Sequence, residues 1–238
     1  MKKTILKFII IALMYPLSIS SGLSQNLAHN YLRDIAKTYI NTKVLAFDGN
    51  IKYYTGILNT SPEEISMISY RRDGDKIHMV VGDQTVVYDG NLNIIINEEQ
   101  RVIYVSSKKQ EGKKDILPIG SFEDYINSGQ FSINASEYVG NKRKISISSA
   151  DKSSATTFEF IYQPNTNFIE FSRMIVDTDN EDADEDLNKK KLEFSYYNYK
   201  TKLDEKIEIS QYITKIKSGK NVIYKGVGKL KDFEVILI

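Results

Sequence analysis

The 238-residue chain contains no cysteine, no tryptophan, two histidines and four prolines. Without cysteine there are no disulfides, no thiolate metal sites and no N-terminal cysteine to carry a lipid, so burial alone must hold the fold together. His29 and His78 have no partner spacing that would build a metal centre or a triad. No Gly-x-Ser-x-Gly elbow, phosphate loop or dinucleotide fingerprint occurs. Lys+Arg of 32 against Asp+Glu of 31 gives a net charge of +1, which is no electrostatic footprint for wrapping nucleic acid. These absences argue against an enzyme, against a cofactor and against a nucleic-acid partner. What remains is a globular composition, 41% hydrophobic and 26% charged, with 16 tyrosines and 10 phenylalanines.

Residues 1–24 read as a secretory signal peptide: Met1-Lys2-Lys3 is a positive start, Ile5 to Leu17 an apolar stretch broken by Lys7, and Ser18 to Ser24 a small-residue cleavage zone. The uninterrupted apolar run from Phe8 to Leu17 falls short of the ~20 residues a spanning helix needs, so no transmembrane segment is expected after cleavage. The exported chain would begin at Gln25 and run to Ile238 as a single domain. It carries two more acids than bases, because Lys2, Lys3 and Lys7 leave with the signal and no acid does. A soluble, non-lipidated periplasmic protein is expected.

From Asn26 to Asn41 the apolar residues form two i, i+4 rows, Leu27, Tyr31, Ile35, Tyr39 and Ala28, Leu32, Ala36, Ile40, one stripe of an amphipathic helix. Its polar face has only Arg33 and Lys37 balanced by Asp34, so it packs on the domain's own sheet rather than on a membrane. The period then changes to two. Strands are predicted over Leu45–Tyr53, Ile65–Arg72, Lys76–Val81, Gln84–Asp89, Leu92–Asn97 and Arg101–Ser107, with Asp73-Gly74, Gly82-Asp83 and Asp89-Gly90-Asn91 as hairpin turns. After the polar connection Lys108–Lys114 and a short helix around Phe122, Tyr125 and Ile126, strands resume at Phe131–Tyr138, Lys144–Ser149, Thr156–Tyr162, Phe168–Val176, Lys191–Tyr199, Lys206–Lys217, Val222–Tyr224 and a last run through Phe233–Ile236. The fold class expected is mainly β: a single curved antiparallel sheet or incomplete β-barrel of about a dozen strands, covered by the N-terminal helix and the short second one.

Two further features point to no chemistry of their own. Asp177 to Asp186 holds seven carboxylates, but the sixth and twelfth places of a calcium loop, which want Gly and Glu, are Asp182 and Asn188; an exposed, solvated hairpin loop is expected. His78 lies opposite Ile77, Met79 and Val81 on its strand and is expected to face solvent. The cluster Tyr196, Tyr197 and Tyr199 suits either cross-strand packing or the wall of a cavity that is apolar in body and wet at its rim.

Met79-Val80-Val81-Gly82-Asp83-Gln84-Thr85-Val86-Val87-Tyr88-Asp89 resembles the apolar hairpin of the outer-membrane lipoprotein carriers and their receptor relatives, the LolA/LolB-like superfamily. Ile119–Tyr125 sits where that family has a short helix, and Thr157–Asp177 with Leu192–Tyr199 resembles its later pair of long strands. The family's Arg-Pro…Trp stretch is not matched, since Arg71-Arg72 is followed by Asp73-Gly74, and the tail from Ser218 to Ile238 exceeds the family pattern. The resemblance implies an incomplete barrel whose apolar cavity shields the acyl chains of a lipid or lipoprotein. Alternation then places Leu45, Phe47, Ile51, Ile77, Met79, Val81, Val86 and Tyr88 on the concave side beneath the helix stripe of Tyr31, Ile35 and Tyr39, as the ligand-binding candidates. A non-enzymatic envelope protein using the same fold as a platform for protein partners is the alternative. Mass spectrometry of exported material should give a chain starting near Gln25; recovery of the full-length chain in the cytosol would contradict the signal-peptide reading.

Overall fold

The structure, a computed structural model, describes residues 23–106, 131–149, 157–177, 189–218 and 221–238. Most of the expected signal peptide, the connection at 108–114, the expected second helix at 122–126 and the acidic loop beyond Asp177 lie outside these residues. Among the described residues one α-helix, α1 (Leu23–Asn41), precedes fourteen strands: β1 (Val44–Thr55), β2 (Glu64–Asp73), β3 (Lys76–Val81), β4 (Gln84–Tyr88), β5 (Asn93–Asn97), β6 (Val102–Ser106), β7 (Phe131–Tyr138), β8 (Lys142–Ser149), β9 (Thr157–Tyr162), β10 (Ile169–Asp177), β11 (Lys189–Lys200), β12 (Ile213–Ser218), β13 (Asn221–Gly226) and β14 (Glu234–Leu237). Twelve of them form one sheet in the order β14-β6-β5-β4-β3-β2-β1-β11-β10-β9-β8-β7, and β12 pairs only with β13. The fold class expected from the sequence, mainly β with an open sheet of about a dozen strands and an N-terminal helix, is the one observed; the second helix expected around Phe122 lies outside the described residues.

Two segments depart from the sequence reading. Lys206–Lys217 is not one strand: Ile207 and Ile209 look like strand alternation, but Ile209–Gln211 is a 3₁₀ turn and β12 begins only at Ile213. The last run, β14, joins the sheet parallel to β6, with Val235 opposite Ile103 and Ile236 opposite Tyr104, whereas the meander from β2 to β6 and the run from β7 to β11 pair antiparallel. A parallel neighbour cannot be reached by a hairpin, so local turn chemistry gives no sign of it.

The described residues form two compact units. The first comprises 23–41, 50–65, 131–149, 157–177 and 189–196. Here α1 packs against β7 and buries Ala28, Leu32, Ile35, Ala36 and Tyr39, while the sheet contributes Ile133, Ile145, Ile147, Phe160, Tyr162, Met174 and Leu192. The Tyr39 hydroxyl accepts the backbone N–H of Ile169 at 3.0 Å, and the Arg143 guanidinium lies 4.2 Å from the Tyr31 ring centroid. On the opposite face, register places Arg173 directly across from Glu159 and Glu193. Its guanidinium bonds both carboxylates, at 3.2 and 2.9 Å, the Tyr54 hydroxyl donates to Glu193 at 2.9 Å, and Lys144 pairs with Glu159. A one-residue slip of β10 would send Arg173 to the apolar face, so this row marks the register. The Lys191 ammonium is buried against Tyr54 yet satisfied, donating to the carbonyls of Ile57 and Asn59 at 3.1 and 2.9 Å.

The second unit comprises 42–49, 66–106, 197–218 and 221–238. Its meander is closed by two-residue turns in which Gly74 and Gly82 adopt φ of 60° and 58°, a region that hairpins require and side chains resist. One face of β4–β6 is sealed: Val87, Ile94 and Ile103 are 0% exposed and Ile96 and Val105 2%, covered by Ile207, Ile209, Ile213 and Leu230. The covering segment turns sharply at Gly226, where a Cβ would lie 1.9 Å from the Leu230 carbonyl oxygen. Because the sealed and open faces alternate residue by residue, truncating neighbours should have unequal costs. Ile94→Ala is expected to cost about 2–5 kcal/mol in urea melts, and Ile95→Ala about 1 kcal/mol; equal losses would mean that both faces are packed.

Candidate functional site

The second unit presents two surfaces with distinct chemistry. The first is the open sheet face, the one that the C-terminal segment does not cover and whose residues stay half-buried among the described residues. Register runs Tyr70 opposite Met79, Met79 opposite Val86, Val86 opposite Ile95, Ile95 opposite Tyr104 and Tyr104 opposite Ile236, one continuous row across six strands. Beside it lie Ile77 with Tyr88, and Val81 with Gln84. Ile77, Met79, Val81, Val86, Tyr88, Ile95, Tyr104 and Ile236 are all half-buried, whereas Tyr70 is sealed. The parity is set by the two-residue turn at Gly82-Asp83, which fixes Val81 against Gln84, and by the C-terminal segment, which claims the alternate residues for the core.

The structure thus brings together five of the residues expected to line a cavity: Ile77, Met79, Val81, Val86 and Tyr88. The others are placed differently. Leu45 and Phe47, in the same unit, are fully buried, with the Phe47 ring 5.0 Å from Tyr70 and 5.4 Å from Tyr199. Tyr31, Ile35, Tyr39 and Ile51 belong to the other unit; Ile35, Tyr39 and Ile51 are sealed there, and Tyr31 is half-buried under Arg143. Ile95, Tyr104 and Ile236 were not singled out by the sequence, because Ile94-Ile95-Ile96 is apolar at every position and its faces cannot be told apart by period. Of the tyrosine cluster, Tyr196 hydrogen-bonds Ser172 at 3.1 Å within the first unit, and burial pushes its hydroxyl pKa up. Asn198, at φ 56°, interrupts the alternation before Tyr199.

The second surface is a polar cleft of about 350 Å³ on the opposite side of the same strands, lined by Asp48, Arg71, His78, Asn198, Lys202 and Tyr212 among others. His78 does not face solvent as its strand pattern suggested: the returning C-terminal segment covers that face, and the imidazole stacks on Tyr212 with ring centroids 5.9 Å apart. Burial holds the imidazole below its ordinary pKa of 6.5, and the Arg71 guanidinium adds to the effect. Burial by itself would raise the Asp48 carboxyl, but hydrogen bonds from Asn198 and Ser69 and the charge and hydrogen bonds of Arg71 outweigh it and keep the carboxyl below its usual range. Among the described residues no cluster of His, Asp or Glu is arranged to hold a metal ion, and no helix is long and apolar enough to cross a membrane.

No family model matches the chain, and no curated protein does. Among solved structures it is similar to a DUF1329 family protein from Desulfovibrio piger, at 6% identity over 76% of this chain and 94% of that one, with a TM-score of 0.35. It is also similar to an uncharacterized conserved protein from Thermus thermophilus, at 9% identity over 88% of this chain and 98% of that one, with a TM-score of 0.42.

The polar cleft generates a pH dependence. The unfolded chain protonates His78 near pH 6.5, whereas the folded chain resists the proton until lower pH, so the unfolded state binds more protons in that interval and stability falls as pH drops through it. Urea melts between pH 7.5 and 5.5 should show this loss, and His78→Asn should remove its share. His29, whose imidazole is lowered in the same direction by burial and by Arg33, accounts for the remainder. A variant as pH-sensitive as the native chain would mean that His78 is hydrated in the fold.

Proposed function

We propose that this chain is a non-enzymatic binding protein of the cell envelope, exported and soluble in the periplasm, that shields acyl chains of a lipid or lipoprotein on the open face of β3–β6. The observation that carries the reading is the inequality of the two faces. One is closed to solvent by Ile207, Ile209, Ile213 and Leu230, while the other leaves Met79, Val86, Ile95 and Tyr104 half-buried in a single row. A contiguous apolar surface kept from its own core has an interaction to make.

Dimensions favour an acyl chain over a flat or bulky ligand. From β3 to β6 the row crosses three interstrand spacings, about 14 Å. That is close to the ~15 Å an acyl chain spans in one leaflet of a bilayer core. Each methylene moved from water onto this row gains up to ~0.8 kcal/mol, so a chain lying along it needs no charged anchor. Tyr88 and Tyr104 suit the rim of such a surface, with rings that pack and hydroxyls that stay wet.

The full burial of Leu45 and Phe47 favours the second reading for part of the unit, a packed platform that binds other envelope proteins. A fluorescent fatty acid separates the two. The native chain should take it up and release it to unlabelled lipid, and lipid extracted from the purified protein should be identifiable by mass spectrometry. Val86→Asp should abolish uptake at a cost of about 1–2 kcal/mol in the urea melt, because the position is half-buried rather than sealed. No uptake by the native chain, with Val86→Asp unfolding it, would favour the platform.

A further inference from the structure

We infer that the β12–β13 hairpin is a docking element for the surface of an anionic lipid bilayer. The sequence from Ile213 to Lys231 carries six lysines and no aspartate or glutamate, whereas the rest of the chain has 26 basic residues against 31 acidic ones. The preceding stretch, Lys200 to Glu208, has three lysines matched by Asp204, Glu205 and Glu208, so the imbalance begins with the hairpin. This goes beyond acyl-chain binding and uses none of the residues on the open face.

The hairpin is built to present apolar side chains between cations. It is a two-stranded sheet of its own, outside the twelve-stranded one. Its base is held by Ile213, which is buried in the core cluster, and by Tyr224, which packs against that cluster. Farther out, Ile216 stands directly opposite Ile223 and Thr214 opposite Lys225, on the face that alternates with Ile213 and Tyr224. Ile216, Val222 and Ile223 are 38%, 37% and 45% exposed; Lys225 is exposed on the face of the Ile216–Ile223 pair, and Lys215, opposite Tyr224, is exposed on the other face. In water the Ile216–Ile223 pair leaves much of its apolar surface exposed. The same pair entering the headgroup region buries its apolar surface while the flanking ammonium groups stay at the level of lipid phosphates, the two terms that together bind interfacial segments. Lys229 is partly neutralised by Glu98 at 2.6 Å and Lys231 lies beyond the hairpin, next to Asp232 in the sequence; among the described side chains of the hairpin, Lys215 and Lys225 are the cations to test.

Co-sedimentation of the full chain with phosphatidylcholine vesicles, with and without phosphatidylglycerol, tests the inference. Binding is expected only when phosphatidylglycerol is present, and it should weaken as salt is raised. Lys215→Gln/Lys225→Gln should lower vesicle affinity about 25-fold, roughly fivefold per lysine. Ile216→Ser/Ile223→Ser should lower it about tenfold, through lost apolar burial. Both pairs are solvent-facing, so circular dichroism and fatty-acid uptake should match the native chain; the native lipid and salt series stands even if a variant misfolds. Absence of vesicle binding by the native chain, equal binding to both vesicle types, salt-insensitive binding, or folded double variants that bind like the native chain would each overturn it. Capture of a single-stranded oligonucleotide in preference to vesicles would do the same. Fatty-acid uptake without vesicle binding removes this inference alone, and vesicle binding without uptake removes only the carrier reading.

Discussion

The architecture of the second unit depends on one act of burial, the closure of residues 207–230 over Val87, Ile94, Ile96, Ile103 and Val105. A meander of short strands has apolar residues on both faces and no internal reason to choose between them. The returning segment makes the choice. Once it has taken the residues of one parity, those of the other, Met79, Val86, Ile95 and Tyr104, are left half-buried on the face it does not cover. The polar cleft has the same origin, since the segment that seals the apolar cluster also brings Tyr212 over His78.

The first unit solves the same problem differently. There a helix takes the apolar face, and the outward face is held by directly opposed charges, Glu159, Arg173 and Glu193, extended by Lys144 and Tyr54. Isolated pairs at this degree of exposure contribute little to stability. Their value lies in register: five strands present complementary groups only in the observed alignment, which keeps Phe160, Met174 and Leu192 together on the helix side.

Much of this was legible in the sequence, for local reasons. Gly74 and Gly82 mark their hairpins because positive φ is a property of the residue itself, and the helix from Asn26 to Asn41 declares itself by its i, i+4 stripe. Face assignment was not legible. Val80 and Val87 are as apolar as Val81 and Val86, so alternation could identify strands without saying which parity is buried. Nor could the sequence show that Ile207 and Ile209 are anchors of a cover rather than strand residues, or that β14 lies along β6, because both facts depend on contacts more than a hundred positions apart. His78 was misplaced for that reason: its strand was read as having a solvent side, and distant residues occupy it.

The long return of the C-terminal segment also bears on the order of assembly. β6 ends at Ser106, and its cover does not begin until Ile207, so during synthesis about a hundred residues follow the meander before the segment that seals its apolar face. A sheet in that condition has little to hold it and closes a very long loop when it is finally sealed, which makes its completion a late and slow event. A chain of this design reaches its native state only after nearly all of it has emerged.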